Sequence, residues 1–209
     1  MATPSQETVV SQSTVALAAE LLERVTDHFI EHGVGDASLR PLAASLGMST
    51  YKLLYHFGSK EELIRRAVLR ASERQVEEVR KWIRVSPSAT VGDIMNAYWN
   101  WFLDARNQRT TRLLFETGGM ALRASSMVPN ALEPLLLGGI DLEEEILASA
   151  GIPRKERRAL ATLICSACWG LQFDLLATGD DVRTTAAWRL FARDVDERIE
   201  RIKTGGAAM

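Results

Sequence analysis

Apolar residues recur at helical spacing along most of this sequence, and that periodicity restricts the possible folds more than any other feature. Between Thr14 and about His32 they stand at relative positions i, i+4, i+7 and i+11, which lie on one face of an α-helix. Since no segment alternates convincingly between apolar and polar residues, we expect an all-α fold of about nine helices. The residues on the first apolar face are Ala18, Leu22, Val25 and Phe29.

Composition restricts the protein class. The chain has 209 residues, of which 46% are hydrophobic and 25% are charged, and this ordinary globular composition excludes a disordered or collagen-like chain. No uninterrupted apolar stretch approaches the about 20 residues that span a bilayer, and the polar N-terminus does not resemble a signal peptide. The two cysteines, Cys165 and Cys168, cannot form a disulfide framework. These features predict a cytoplasmic protein without a membrane partner.

Glycine and proline residues divide the chain into a small N-terminal domain and a larger helical body. Residues 1–13 are expected to form a flexible arm, residues 14–60 a three-helix domain, residues 61–203 the body and residues 204–209 a flexible tail. A long helix over 60–84 begins with the capping-box spacing of Ser59 and Glu62 and connects the two domains. The other body helices are predicted at 91–105, 107–122, 130–149, 154–178 and 181–202.

Two short helices in the N-terminal domain form a helix-turn-helix candidate. We predict them over Leu39–Leu46, with Ser38 as the N-cap, and over about Thr50–Phe57, with Gly47 in the turn between them. Apolar residues on both helices would face the core: Leu42, Ala43, Leu46, Leu53 and Phe57. The outward residues of the second helix would be Thr50, Tyr51, Lys52, Tyr55 and His56. Such groups can contact base edges and phosphates, although a solvated helical hairpin has the same spacing.

The charge distribution agrees with a local rather than a general nucleic-acid signal. The formal net charge of the whole chain is −2. The segment 37–60 nevertheless contains Arg40, Lys52 and Lys60 and no Asp or Glu. A small basic patch on a nearly neutral protein can contact phosphates only at that patch.

The stretch from about Leu17 to Leu69 resembles the N-terminal domain of the TetR family of bacterial transcriptional repressors. The rest of the chain is similar to the family only in its helical layout. The resemblance implies a homodimeric regulator that binds a palindromic operator in double-stranded DNA and is released by a small, mainly apolar effector. The residues that carry it are Leu46, Gly47, Met48, Ser49, Leu53, Tyr55, His56, Phe57, Lys60 and Leu63.

The same resemblance implies DNA contacts at particular positions. Ser38 would cap its helix onto a phosphate, the first turn of the second helix would read bases, and Lys60 would bind a phosphate. Tyr51 stands where the family often has glycine. Leu54 stands where the family usually has a phosphate-binding tyrosine, so that contact is either missing or supplied by Tyr55. The candidate DNA-binding residues are Ser38, Arg40, Ser49, Thr50, Tyr51, Lys52, Tyr55, His56 and Lys60.

The last two helices carry long apolar stripes that could form a four-helix bundle between two copies of the chain, as they do in the family. The alternative is that both stripes face the core of their own chain. The candidate dimer residues are Leu160, Leu163, Ile164, Ala167, Leu171, Leu175, Leu190, Phe191, Val195 and Ile199.

The middle helices hold most of the aromatic residues and several methionines, a composition that suits a pocket for a mainly apolar ligand. Trp and Met at helical spacing also occur as plain core, so both interpretations stay open. The candidate pocket residues are Trp82, Met95, Tyr98, Trp99, Phe102, Phe115, Glu116, Met120, Trp169, Gln172 and Phe173.

No cofactor, metal site or catalytic set is expected. His28 and His32 are four residues apart on one helix but have no evident third metal ligand. The two cysteines lie in an apolar helix and are interpreted as small buried hydrophobes. The acidic run of Asp141 and Glu143–Glu145 is interpreted as a solvated face. The main alternative function is an all-α small-molecule-binding protein without specific operator recognition, and a helical enzyme is a more remote one.

Overall fold

The computed structural model describes residues 6–35, 39–122 and 132–206, and this part of the chain contains nine α-helices and no strand. The predicted all-α class is therefore confirmed. The helices are α1 (Gln6–His32), α2 (Leu39–Ser45), α3 (Thr50–Phe57), α4 (Lys60–Val85), α5 (Val91–Phe102), α6 (Ala105–Ala121), α7 (Leu132–Ser149), α8 (Arg154–Thr178) and α9 (Asp181–Gly206).

Most helix boundaries follow the local signals in the sequence, and the differences lie at the two ends of the chain and between α5 and α6. There α5 ends at Phe102 instead of Ala105, and α6 begins at Ala105 instead of Asn107. α1 begins at Gln6 instead of Thr14, and α9 continues to Gly206, so helix covers parts of the expected arm and tail. At the start of α4 the Ser59 side chain accepts a hydrogen bond from the backbone N–H of Glu62, at 3.1 Å. The Glu62 carboxylate does not complete the expected capping box, because it accepts two hydrogen bonds from Arg65.

The N-terminal helices form one hydrophobic core, which we call the head (α1–α3 and the first half of α4). Val25, Leu53, Leu63 and Ile64 are fully buried there. One residue from outside the N-terminal segment, Leu113 of α6, also belongs to this core. The head is therefore packed against α6 as well as against α4.

The second core, which we call the body, is built by the second half of α4 and by α5–α9. Helix α4 has 26 residues and is about 39 Å long, so it extends through both cores. Leu63, Ile64, Ala67, Val68 and Ala71 of α4 are buried in the head, whereas its Val79 is buried in the body. A rigid helix shared by two cores connects movements of one to movements of the other.

Two stacked tryptophans fix α5 against α9. The rings of Trp99 and Trp188 are 5.0 Å apart and nearly parallel, and both side chains are 1% exposed. Each indole N–H has an acceptor, since Trp99 donates to the Thr185 hydroxyl at 2.9 Å and Trp188 donates to the Met95 carbonyl at 3.2 Å. A buried indole of this kind loses little free energy to desolvation.

Asp196 of α9 holds the first turn of α5. Its carboxylate accepts hydrogen bonds from the backbone N–H of Gly92 and from the Thr90 hydroxyl, both at 2.8 Å. A Cβ at Gly92 would stand 2.3 Å from the Asp196 carboxylate oxygen and 3.1 Å from the Ala192 carbonyl oxygen. A side chain at this position would have to displace the Asp196 carboxylate from its hydrogen bonds to α5.

Helix α8 is long and apolar enough to cross a membrane by length and composition alone. It is one helix, and the core helix of a globular protein passes the same test. Here Leu160, Ile164 and Leu175 of α8 are buried in the body core. The packing therefore accounts for much of its apolar character.

Candidate functional site

Helix α3 presents two exposed tyrosines on one side and two buried residues on the other. Tyr51 is 81% exposed and Tyr55 is 77% exposed, although large aromatic side chains usually bury most of their surface. They are four residues apart and so lie on one face of the helix. On the opposite side, Leu53 and Phe57 are buried in the head core and fix the orientation of α3.

Local signals define both ends of α3. Gly47 adopts φ = +68° in the turn after α2, a conformation that favours glycine. The Ser49 hydroxyl oxygen caps the helix by accepting a hydrogen bond from the backbone N–H of Lys52, at 3.1 Å. Gly58 ends α3 with φ = +83°, and its N–H bonds to the Leu54 carbonyl. The two-helix unit is thus positioned by residues inside the motif itself.

The remaining candidate DNA contacts lie on or beside this open face. The Lys52 side chain is exposed, Thr50 and His56 are half-buried, and the His56 ring meets the Tyr55 ring edge-on, with 5.8 Å between the ring centroids. Lys60 is the first residue of α4 and is half-buried, and Arg40 is exposed on α2. Ser38 lies outside the described residues.

An α-helix with this surface can enter the major groove of B-DNA, which is about 12 Å wide. The phenolic hydroxyls of Tyr51 and Tyr55 can donate to or accept from base edges and phosphates. The Lys52 ammonium can neutralise a phosphate. Arginine is absent from α3, so the bidentate arginine–guanine contact cannot come from this helix.

Comparison with known proteins agrees with this geometry. Residues 21–67, which include both helices of the motif, match the model of bacterial regulatory proteins of the tetR family. The N-terminal domain of the chain belongs to the TetR family of bacterial regulatory proteins. It holds the helix-turn-helix of α2 and α3, the DNA-binding unit of such regulators.

Two solved structures share the fold of this TetR-family chain. One is a TetR transcriptional regulator from Legionella pneumophila, with a TM-score of 0.65 and 17% identity over 84% of this chain and 95% of that one. The other is a putative transcriptional regulator from Rhodococcus sp. RHA1, with a TM-score of 0.66 and 20% identity over 86% of this chain and 93% of that one. A search of curated proteins gives no match.

The body of the chain contains a cavity of about 130 Å³ that is lined by residues of α4–α9, most of them on α4, α5, α7 and α8. Of the eleven candidate pocket residues, Met95, Tyr98 and Trp169 line it. The Tyr98 hydroxyl accepts a hydrogen bond from the amide of Gln172, at 3.1 Å, so Gln172 positions a lining residue without lining the cavity itself. The sequence therefore identified part of this site.

The other seven candidate pocket residues lie elsewhere. Trp99 and Phe102 are buried in the body core, and Trp82 packs edge-on against Trp101. Helix α5 has apolar residues on nearly every face, and Trp82 lies on the outer side of α4. Helical spacing alone therefore does not distinguish residues of the core from residues that line a cavity. The rest are on α6 or on the exposed side of α8: Phe115, Glu116, Met120 and Phe173.

One lining residue that sequence analysis missed is Glu143 of α7. Its Oε1 atom is fully buried and has no hydrogen-bond partner among the residues that the structure describes. Burial raises the pKa of Glu143 to about 7. Sequence analysis assigned Glu143 to a solvated acidic face. Its helical spacing from Gly139, four residues before it, and from Ile146, three residues after it, places it on the same face of α7 as these two lining residues, and this signal could have identified it.

The two cysteines of α8 also line the cavity. Burial raises the pKa of the Cys165 thiol to about 12 and raises that of Cys168 well above its usual value. Both thiols therefore stay protonated at neutral pH and act as small apolar groups, as the sequence indicated.

The candidate dimer residues fall into two groups. Five of them are buried in the body core of their own chain, because α8 and α9 turn those residues inward: Leu160, Ile164, Leu175, Val195 and Ile199. Leu163 and Leu190 are 52% and 54% exposed. Ala167, Leu171 and Phe191 are half-buried. The alternative that the stripes face their own core thus accounts for half of the set.

The histidine pair of α1 has no metal-site surroundings. The rings of His28 and His32 are 4.5 Å apart, and burial together with the neighbouring His32 lowers the pKa of His28. No group of three potential metal ligands comes together in the described part of the chain. The lowered pKa favours the uncharged form of the His28 ring.

Proposed function

We propose that this regulator binds a palindromic operator as a homodimer and represses transcription until a small, mainly apolar ligand releases it. The observation that carries the proposal is the face of α3, where Tyr51 and Tyr55 are almost fully exposed beside Lys52. Side chains as exposed as these contribute little to the packing of the head core. They are available to a DNA groove.

A single head offers few cationic contacts, so useful affinity requires two heads on one duplex. Recognition helices of a two-fold dimer reach successive major grooves when they are about 34 to 36 Å apart. The operator would then be a palindrome. Each chain would read one half-site through Thr50, Tyr51 and Lys52 and hold the backbone through Tyr55, His56 and Lys60.

A groove between α8 and α9 supports the dimer. Its floor includes Leu163, Ala167 and Phe191, and its rim carries charges of both signs. A two-fold interface places the same surface on both chains, so a patch that has acidic and basic residues can complement itself. The rim residues are Asp194, Glu197, Arg198 and Arg201.

Helix α6 supports the coupling between ligand and DNA. Leu113 is buried in the head core, and the next residue, Leu114, lines the cavity in the body. A ligand that favours a different position of Leu114 would move Leu113 with it and shift the population of head orientations. The protein would act in the cytoplasm, as a binding protein and not as an enzyme.

The salt dependence of DNA binding tests this proposal. Affinity for double-stranded DNA should fall as salt rises, and the slope of log affinity against log salt should decrease by about 1 in each of the variants Lys52→Ala and Lys60→Ala. Lys155→Ala removes an exposed lysine of α8 and is the matched control. A slope that neither head variant changes would contradict the proposed phosphate contacts.

A further inference from the structure

We infer that the ligand of the body cavity is an apolar molecule carrying a protonated amine, which pairs with the buried carboxylate oxygen of Glu143, Oε1. The inference rests on the proposed function only in that it names the class of the effector. Its basis is a carboxylate oxygen buried against apolar side chains, with no hydrogen-bond donor within reach among the described residues.

Burying an unpartnered carboxylate costs several kcal/mol, and folded chains normally supply a cation or several donors in compensation. The described lining of the cavity contains no Lys, Arg or His. Ser72, Gln75 and Tyr98 also line it, but none of them donates a hydrogen bond to Glu143 Oε1. Neighbouring acidic residues of α7 do have cations, since Glu144 pairs with Arg158 and Glu145 pairs with Arg80, both at 3.0 Å. Glu143 is turned away from these surface arginines and toward the cavity.

The rest of the lining fits the two ends of such a ligand. Tyr98 and Trp169 contribute aromatic rings, whose faces stabilise a cation within about 6 Å. The Tyr98 hydroxyl accepts from Gln172 and retains its own proton for a further hydrogen bond. Val79, Ile146 and Ile164 surround the apolar part of the space.

The volume of the cavity limits the size of the ligand. The cavity volume of about 130 Å³ is close to that of an apolar protein cavity of about 150 Å³ that accommodates benzene. One aromatic ring or a short alkyl chain with a single amine is therefore the expected class. Benzylamine, which is protonated at neutral pH, and benzyl alcohol, which is neutral and of nearly equal size, are matched probes.

Calorimetric titration of the full chain with both probes tests the inference. Benzylamine should bind more tightly than benzyl alcohol. Glu143→Gln should weaken benzylamine binding by at least about tenfold and change benzyl alcohol binding by less than about threefold, because only the amine forms a charge-assisted hydrogen bond. Glu145→Gln removes the same charge from the surface of α7 and should leave both affinities unchanged.

Equal binding of the two probes to the wild-type chain, no binding of benzylamine, or an equal loss of both probes in Glu143→Gln would overturn the inference. The wild-type comparison decides the matter by itself if Glu143→Gln does not fold. Benzylamine binding that depends on Glu143 but leaves DNA affinity unchanged would support the cavity chemistry and contradict the proposed release. The measurements therefore distinguish a failure of the inferred amine binding from a failure of the proposed release of DNA.

Discussion

The carboxylate of Glu116 on α6 accepts a hydrogen bond from the backbone N–H of Val34, at 3.3 Å. Val34 is fully buried in the head core just after α1 ends, whereas Glu116 lies two residues beyond the cavity-lining Leu114. A Cβ at Gly33 would stand 3.0 Å from the same carboxylate, so the contact is close. This bond ties the head directly to a helix that borders the cavity.

Loss of that bond should weaken the communication between the two cores. Glu116→Ala leaves the N–H of Val34 without its acceptor, which should lower the free energy of unfolding by about 1 kcal/mol. It should also reduce the factor by which a cavity ligand changes DNA affinity. Glu200→Ala, on the surface of α9, is the control. If Glu116→Ala responded to ligand as the wild type does, coupling through this contact would be refuted.

Tyr51 should determine base preference and not general affinity. Tyr51→Ala removes an exposed side chain that contributes nothing to the head core, so the melting temperature should stay within a few degrees. The preferred base at one position of each half-site should be lost, at about 1–3 kcal/mol, while the salt slope stays unchanged. Measured affinities for duplexes varied at single positions check this. An unchanged base preference would place Tyr51 outside the groove.

Leu163 should hold the dimer together. It is 52% exposed in the groove between α8 and α9, and Leu163→Glu would place a charge in the apolar part of the interface. Sedimentation should show the wild type at twice the 23.2 kDa of one chain and the variant at that single mass. Val182→Glu alters a more exposed residue outside the groove and should remain dimeric. A dimer that tolerates Leu163→Glu would move the interface to another surface.

Gly92 should be intolerant of any side chain. A Cβ there would lie 2.3 Å from the Asp196 carboxylate and 3.1 Å from the Ala192 carbonyl oxygen, so Gly92→Ala should displace the Asp196 side chain and break its hydrogen bonds to the first turn of α5. We expect a loss of at least about 2 kcal/mol in the free energy of unfolding. Gly119→Ala on α6 meets nothing within 4 Å and should stabilise the chain by up to about 1 kcal/mol. Denaturant titration of both variants gives the comparison.

Glu143 should make the protein less stable as pH rises. Its pKa is about 7 in the folded chain and 4.5 ordinarily, so the folded chain binds the proton more tightly. The free energy of unfolding therefore falls as pH rises from about 4.5 to about 7 and stays low above that. Tyr98 and the two cavity cysteines stay neutral over this range, because their pKa values are raised by burial.

The difference in stability between the wild type and Glu143→Gln isolates this effect. Relative to Glu143→Gln, the wild type should lose roughly 2–3 kcal/mol in the free energy of unfolding between pH 5 and pH 8. Glu145→Gln, which removes a carboxylate beside Arg80 on the surface of α7, is the matched control. A pH-independent difference for Glu143→Gln would mean that the carboxyl is solvated.

The helix boundaries were accessible from sequence because their signals are local. Ser49, Gly58 and Gly179 cap or end helices by bonds to residues at most four positions away. The predicted α3 and α8 therefore agree with the structure. Contacts between distant segments were not accessible, since nothing near Val34 indicates that residue 116 accepts its N–H, and nothing near Gly92 indicates Asp196.

The candidate sites were predictable to different degrees for the same reason. The outward face of α3 follows from the apolar spacing of Leu53 and Phe57, so the exposed residues could be named. Residues of six helices line the cavity, and which aromatic residues border it depends on how those helices cross. Trp99 and Tyr98 are neighbours in sequence, yet one is stacked in the core and the other borders the cavity.

Selection of bound duplexes from a random DNA library at near-physiological salt tests the central claim most directly. The account predicts enrichment of a palindrome whose half-site centres are about one helical turn, or a multiple of it, apart. Folded, purified protein that enriches no sequence would contradict operator recognition and would leave the body cavity, not α3, as the functional centre of the molecule.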